Sequence, residues 1–176
     1  IAISESLGYP FDLLKQVEDI NTSQLELFLD KIRENLWVLQ EKKIALWGLT
    51  FKQNTDDVRE SVAIKLAQRM IAEGAAITTW DPQGMDTAKR FGNLGDKITY
   101  ADDMYSCLDG ADALVIGTEW PEFTNADLSE LKARMHSPLV FDGRNLLDPQ
   151  TMANQGIEYH SVGRATLAPE QGSPSA

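Results

Sequence analysis

The chain has 176 residues, of which 43% are hydrophobic and 24% charged, as in ordinary globular proteins. Its net charge of −11 repels polyanions, which argues against nucleic acid and anionic membrane surfaces as partners. No apolar run reaches the about 20 residues needed to span a bilayer. The single cysteine, Cys107, excludes an intramolecular disulfide and favours a reducing, cytoplasmic location. The first residues lack a signal-peptide pattern and are typical of a helix entered part-way, so we expect a fragment of a longer protein.

Residues 1–40 are predicted to be helical. Ser23 and Glu26 form a Ser-x-x-Glu capping box, which is typical of the start of a helix. Behind it an apolar face recurs at steps of three and four, formed by Leu25, Phe28, Ile32, Leu36 and Leu39. This face must pack on something, which leaves two alternatives: a partner subunit or missing domain, or the C-terminal part of the same chain.

From Lys42 onward, short apolar runs alternate with helical stretches. Strands are predicted at 44–48, 76–82, 98–103, 113–118, 139–144 and 157–163, and helices at 61–73, 104–108 and 127–135. This alternation indicates βαβ units and predicts an α/β fold: a three-layer, Rossmann-like parallel sheet of about six strands, with the strand at 113–118 near its centre. The predicted organisation is a helical segment at 1–40, an α/β domain at 41–166 and a disordered Pro/Ser/Gly-rich tail at 167–176.

The first strand, helix and second strand have the order of a dinucleotide-binding unit. The G-x-G-x-x-G turn is missing, however, because no glycine follows Gly48 before the helix. Asp81 is also farther from Gly48 than the about 20 residues that this fingerprint requires. We therefore predict that this segment binds no NAD by itself.

The loop at 48–61 is longer than the about 2–6 residues usual between a strand and a helix. It is rich in charge, with side chains Lys52, Asp56, Asp57, Arg59 and Glu60. Open α/β sheets bind ligands at the carboxyl ends of their strands, where this loop is predicted to lie. A solvated surface loop is the alternative.

The loop sequence GLTFKQNTDDVRES resembles the G-x-x-F-K-x-x-T-x-D-x-R-E-S signature of the UDP-glucose/GDP-mannose dehydrogenase family, the UDP-glucose 6-dehydrogenase type in particular. Further family motifs follow in order: WDP at 80–82, ADALVIGTEW with EF at 111–123, FDGRN with LLDP at 141–149, and SVGR at 161–164. Upstream, SLGYPFDLLKQVEDIN is similar to the segment before the family's central helix. The likeness extends from residue 1 to about 165.

The resemblance implies a three-part, NAD-dependent enzyme of polysaccharide biosynthesis. A missing N-terminal Rossmann domain would bind NAD, the helix at 23–40 would form a homodimer, and the C-terminal domain would bind the nucleotide sugar. The family oxidises the C6 alcohol of the sugar to a carboxylate in two hydride transfers, using a cysteine that precedes this chain. Cys107 does not match that cysteine, so no catalytic residue is assigned here and the chain alone is expected to be inactive.

Carried over by motif, Phe51, Lys52 and Arg144 are implied to bind the substrate and Arg59 the cofactor. Supporting roles are implied for Thr55, Asp57, Glu119, Trp120 and Asp142. Asp57 is expected to position Arg59 or the loop, and Asp142 to orient Arg144. Thr55 either bonds a phosphate or caps the loop. Glu119 and Trp120 are expected to form a structural wall, with support of the substrate site as the alternative.

The remaining reactive side chains have structural interpretations. Cys107 lies among aspartates and is expected to be a buried structural thiol. His136 and His160 have no third ligand at metal spacing, so no metal site is predicted. The leading function is a UDP-glucose 6-dehydrogenase, and the alternatives are a dehydrogenase for GDP-mannose or a UDP-N-acetylhexosamine, or a non-catalytic binding or dimerisation module.

Overall fold

A computed structural model describes residues 12–166, so the predicted disordered tail at 167–176 and the first 11 residues lie outside it. The chain divides into two compact units, with the boundary between Trp37 and Val38. No helix in the described part of the chain is both long and apolar enough to cross a membrane.

The first unit contributes one helix, α1, which spans Asp12–Leu36. The predicted helix start at Ser23 is wrong, because Ser23 lies in the middle of α1 and its hydroxyl donates to the carbonyl of Asp19 at 2.8 Å. The helix ends where Trp37 adopts a positive φ of 65°. A local capping signal is thus overridden by a helix that continues through it.

Helix α1 has one set of buried apolar side chains and a second set that is exposed. Leu29, Ile32 and Leu36 are buried, and Leu39 beyond the helix is buried as well. A second set of apolar side chains is exposed, namely Leu13, Val17, Ile20 and Leu27. The apolar surface that α1 leaves open therefore lies on other residues than those the periodicity singled out.

The second unit contains a six-stranded parallel sheet. Its strands are β1 (Lys43–Trp47), β2 (Ala76–Trp80), β3 (Ile98–Tyr100), β4 (Ala113–Ile116), β5 (Leu139–Asp142) and β6 (Glu158–Ser161). They pair in the order β3-β2-β1-β4-β5-β6, and all pairs are parallel. The α/β prediction is confirmed, and β1 and β4 form the centre, with every β4 side chain buried. Continuous burial is expected of a strand covered on both faces.

The helices of this unit are mostly short. They are α2 (Val62–Ala72), α3 (Met85–Phe91), α4 (Pro121–Thr124), α5 (Leu128–Arg134) and α6 (Pro149–Asn154). Three of them, α2, α5 and α6, start at a side-chain cap. Ser61 accepts from Ile64 N, Asp127 from Ser129 N and Glu130 N, and Asp148 from Thr151 N. The predicted helix at 104–108 is a single 3₁₀ turn, Ser106–Leu108.

The core beneath the sheet joins β1 to the loops that follow β3 and β4. The Trp47 ring stacks on Phe123 with centroids 5.0 Å apart, and its Nε1 donates to the Met104 carbonyl at 2.8 Å. Trp120 is buried in the same cluster. This packing anchors α4 and the segment before it, where Glu119 lies.

Candidate functional site

The loops that carry the predicted site residues lie at the same end of the sheet, the carboxyl ends of its strands. β1, β4 and β5 are neighbours and run in parallel, so the segments after Trp47, Ile116 and Asp142 all leave at their carboxyl ends. The chain leaves β1 toward β2 on one side, and β4 lies on the other. This reversal of strand order is the switch point at which open α/β sheets form a ligand crevice.

The floor of the crevice is closed by protein atoms. Gly48 has a φ of 87°, and a Cβ there would lie 2.8 Å from the backbone nitrogen of Thr118. The Thr118 hydroxyl donates to the carbonyl of Thr50 at 2.6 Å. The turns after β1 and β4 are therefore in direct contact, which only a glycine at position 48 permits.

Asp81, at the end of β2, is a buried carboxylate that organises this contact. Oδ2 accepts from the backbone nitrogens of Leu49 and Thr50, from the Thr50 hydroxyl, and from Trp120 Nε1. Oδ1 accepts from the nitrogens of Gln83 and Gly84. Both oxygens are thus satisfied by the protein, and Asp81 has no capacity left for a ribose hydroxyl. That this segment binds no NAD by itself stays a prediction from the sequence.

Arg144 lies across the crevice from β5 to the loop after β1. Its Nε donates to the carbonyl of Gly117 at 2.8 Å, and Nη2 lies 3.5 Å from the carbonyl of Phe51. The Nε atom is also 3.2 Å from Oε2 of Glu119, which forms an ion pair with it. The structure therefore brings together Phe51, Glu119 and Arg144, which are far apart in sequence.

Asp142 holds the Arg144 turn through its backbone. Oδ1 accepts from the backbone nitrogen of Arg144 at 2.8 Å, and Oδ2 accepts from Leu146 N and Leu147 N. The Tyr159 hydroxyl, from β6, donates to the same Oδ2 at 2.7 Å. Asp142 was predicted to orient Arg144, and the contact in the structure is with the main chain of Arg144, whereas Glu119 faces the guanidinium.

Tyr159 is a functional-site brace that the sequence interpretation missed. Burial, together with the hydrogen bond to ionised Asp142, raises the pKa of the Tyr159 phenol above its usual range. The phenol therefore stays neutral and keeps donating. A tyrosine on the last predicted strand is the only signal in the sequence, and it does not reveal its partner.

The loop after β1 exposes the other predicted substrate residues. Phe51 is half-exposed and Lys52 is exposed. No hydrogen bond or ion pair joins Lys52 to any residue between 12 and 166. The Phe51 carbonyl lies 3.5 Å from Nη2 of Arg144, and the Phe51 nitrogen donates to the Asp57 carbonyl within the loop.

Arg59 is organised by a carboxylate two residues before it. Asp57 accepts from the backbone nitrogen and Nε of Arg59 at 2.9 Å each, and from Nη2 at 2.8 Å. These hydrogen bonds lower the pKa of the Asp57 carboxyl to about 2. Thr55 accepts from the nitrogen of Asp57 at 3.2 Å, so it caps the loop. The Arg59 side chain remains 84% exposed.

Cys107 is buried beneath the sheet. Its Sγ lies 3.2 Å from the carbonyl of Thr78, and burial raises the pKa of the thiol to about 12. A neutral thiol is a poor nucleophile. Within residues 12–166, no cluster of His, Cys, Asp and Glu is arranged to hold a metal ion.

Comparison with known proteins places these residues in a family. The sequence profile of the UDP-glucose/GDP-mannose dehydrogenase family, UDP binding domain, matches residues 45–149. UDP-glucose 6-dehydrogenase YwqF of Bacillus subtilis is 36% identical over 169 residues, which cover 96% of this chain and 38% of that protein. UDP-glucose 6-dehydrogenase of Rhizobium meliloti is 44% identical over 126 residues, 72% of this chain and 28% of that protein.

Solved structures give the same result. The UDP-glucose dehydrogenase of the archaeon Pyrobaculum islandicum has a TM-score of 0.76 at 31% identity, covering 94% of this chain and 35% of that one. The UDP-D-ManNAc dehydrogenase of Pyrococcus horikoshii has a TM-score of 0.71 at 25% identity, covering 92% and 36%. The chain thus spans between 28% and 38% of the length of these four proteins.

Proposed function

Because this chain belongs to the UDP-glucose/GDP-mannose dehydrogenase family, we propose that it supplies the nucleotide-sugar-binding part of an NAD-dependent UDP-glucose 6-dehydrogenase. The complete enzyme oxidises the C6 alcohol of UDP-glucose to the carboxylate of UDP-glucuronate. The observation that carries the proposal is the convergence of Arg144 with the Phe51–Lys52 segment at the switch point of the sheet.

Arg144 and Lys52 are the cations proposed to hold the nucleotide sugar. The Nη1 nitrogen of Arg144 has no acceptor among the described residues, so a planar edge of the guanidinium is open for bidentate binding of a phosphate. Lys52 adds a mobile ammonium with three donors. Phe51 lines the same place with a half-exposed ring.

NAD is assigned to a part of the enzyme outside this chain. This assignment is supported by the missing glycine turn after β1 and by Asp81, whose two oxygens already accept from protein donors. Arg59 is the one residue that we propose to reach the cofactor. Its exposure and its fixed pairing with Asp57 support that role.

The same proposal covers the organisation of the chain, with a helical segment at 1–40, a nucleotide-sugar-binding domain at 41–166 and a tail beyond.

The proposed specificity for UDP-glucose is supported by the relatives described above, which are UDP-glucose 6-dehydrogenases. The alternative is a UDP-N-acetylhexosamine substrate, which the UDP-D-ManNAc dehydrogenase structure favours. Titration of the intact enzyme with both sugars separates the two.

The proposed function is tested on the 176-residue chain with UDP, UDP-glucose and NAD. We expect calorimetry to detect UDP binding and absorbance to detect no NADH formation, because the Cys107 thiol is buried and neutral and the NAD site is proposed to lie outside this chain. Turnover by a purified sample would refute the division of labour between this chain and the rest of the enzyme. Absence of UDP binding at millimolar UDP would refute the binding role.

We further propose that α1 forms a homodimer through its exposed apolar side chains. Leu13, Val17, Ile20 and Leu27 follow the three- and four-residue steps of a helix–helix seam. This replaces the predicted face, since Ile32 and Leu36 are buried in a single chain. Burying one such aliphatic side chain contributes about 1.5–3 kcal/mol.

Replacing Ile20 and Leu27 together by aspartate should therefore convert the dimer to a monomer in sedimentation. The matched control is Phe91→Asp, which places a charge at an equally exposed apolar position on α3. A wild-type chain that sediments as a monomer, or a dimer that survives the double substitution, would locate any interface elsewhere.

A further inference from the structure

The proposed anion-binding arginine already faces an anion of its own chain. Nε of Arg144 is 3.2 Å from Oε2 of Glu119, and the two side chains are only 31% and 36% exposed. Glu119 comes from the segment after β4 and Arg144 from the turn after β5, so each is positioned by a separate strand. The pair is partly shielded from water, and its electrostatic interaction is weakened less by salt than that of a fully exposed pair.

The contact between the two side chains is electrostatic and lacks a hydrogen bond. The Nε hydrogen of Arg144 is directed to the Gly117 carbonyl at 2.8 Å, so it is not available to the carboxylate. Oε2 of Glu119 is buried and accepts no hydrogen bond from any residue in the described part of the chain. A buried acceptor without a donor is unfavourable. The position of Glu119 beside the guanidinium is therefore unfavourable for hydrogen bonding. Its main effect on Arg144 is the electrostatic effect of its negative charge.

We propose that Glu119 sets the strength of nucleotide-diphosphate binding by offsetting the charge of Arg144. This inference rests on the proposed function, since it assumes that Arg144 contacts the diphosphate. The carboxylate leaves the Nη edge open but removes most of the net positive charge behind it. A diphosphate then binds through directed hydrogen bonds more than through net charge, which favours planar, bidentate recognition over attraction of any anion.

The test is UDP binding by the full chain carrying Glu119→Gln, a substitution that keeps the shape and removes the charge. We expect the affinity to rise roughly two- to fivefold, the range that partly exposed ion pairs produce. The affinity should also fall more steeply with added salt, because one more uncompensated positive charge faces the ligand. The matched control is Glu122→Gln, an exposed carboxylate in the first turn of α4, which should leave both quantities unchanged.

Three results separate this inference from the proposed function. An unchanged or weaker UDP affinity in a folded Glu119→Gln variant, with thermal unfolding as the check, overturns the role of Glu119. Should that variant unfold, Glu119→Ala takes the same titration, and the same gain in affinity is required. If Arg144→Ala binds UDP as tightly as the wild type, the proposed binding site itself is wrong, whatever Glu119 does.

Discussion

The loops after β1 and β5 carry the two cations proposed for the substrate, and they are held in opposite ways. The β5 loop is fixed by Asp142, a fully buried carboxylate that accepts from three backbone nitrogens and from Tyr159 of the neighbouring strand. The β1 loop around Lys52 is held mainly by contacts among its own residues, such as Phe51 N to Asp57 O. The β5 loop is thus braced by the sheet, whereas the β1 loop beyond Thr50, which Asp81 and Thr118 hold, is fixed mainly by bonds among its own residues.

This difference shows which part of the site this chain prepares in advance. Arg144 needs little reorganisation to bind a phosphate, because its backbone and its Nε are already engaged. Lys52 and Arg59 are exposed, and their final positions can be set by a ligand or by another part of the enzyme. We therefore expect the fixed Arg144 to contribute more to ligand affinity than the exposed Lys52, whose side chain can take its position after the ligand binds.

The largest expected effect follows from removing the brace. Asp142→Ala leaves three backbone nitrogens of the β5 loop without their acceptor, whereas Tyr159 keeps the Leu147 carbonyl. Hydrogen bonds to charged groups contribute about 1.5–3 kcal/mol each. We expect the free energy of unfolding to drop by at least about 3 kcal/mol in urea denaturation. UDP affinity should fall with it, because the Arg144 turn is no longer fixed.

The control for this loss is Asp148→Ala. Asp148 is an exposed carboxylate that caps α6 by accepting from Thr151 N at 2.8 Å. Loss of such a cap costs about 1 kcal/mol. Equal losses for the two variants would contradict the claim that Asp142 is the central brace.

The second effect compares the two cations directly. Arg144→Ala should weaken UDP binding by about 1.5–3 kcal/mol, and Lys52→Ala by less, since a mobile exposed ammonium contributes less than a fixed guanidinium. Calorimetric titration of the chain measures both. The thermal unfolding midpoint should change little in Lys52→Ala, because Lys52 is exposed and forms no hydrogen bond or ion pair within residues 12–166.

Arg134→Ala serves as the control, since Arg134 pairs with Asp109 and Glu130 on α5. It should leave UDP affinity as it is. A larger loss from Lys52→Ala than from Arg144→Ala would reverse the comparison and make the β1 loop the principal anchor.

The smallest effect concerns pH and the β1 loop alone. Arg59 holds the pKa of the Asp57 carboxyl at about 2, below the usual 3.8. A lowered pKa in the folded state stabilises the loop above pH 3.8, and this contribution is lost as the pH falls through about 2. In an NMR titration, Arg59→Ala should return the Asp57 pKa toward its usual value, whereas Lys65→Ala should not. No change with Arg59→Ala would mean that another group sets the Asp57 pKa.

Hydrophobic periodicity and helix-capping residues were sufficient to predict the six strands and two of the longer helices of the second unit. Six apolar runs predicted six strands in the right order, and Ser61 and Asp127 lie at the helix starts that their side-chain chemistry indicates. Three helices were missed, namely α3, α4 and α6. Each has seven residues or fewer, too short for a period of 3.6 to be recognised.

The local capping signal at Ser23 gave a wrong helix start because the helix extends well beyond the motif. The Ser23–Glu26 pattern has the chemistry of a helix start, yet α1 runs through it from Asp12. A capping box stabilises an end only if the preceding residues leave the helix, and that depends on residues beyond the motif. Periodicity did locate a face of α1 that is partly buried, through Ile32 and Leu36, but it did not reveal the second, exposed apolar set that includes Ile20 and Leu27.

The sequence by itself determined the α/β class, the family and the two loops that carry the cations, because strand length, turn residues and motif order are local properties. Only the tertiary structure decided the partners of the charged groups. Glu119 lies after β4 and Arg144 after β5. Asp81 accepts hydrogen bonds from the turns after β1, β2 and β4. Such contacts depend on which strands are neighbours, and strand order is set by packing of the whole sheet rather than by any one segment.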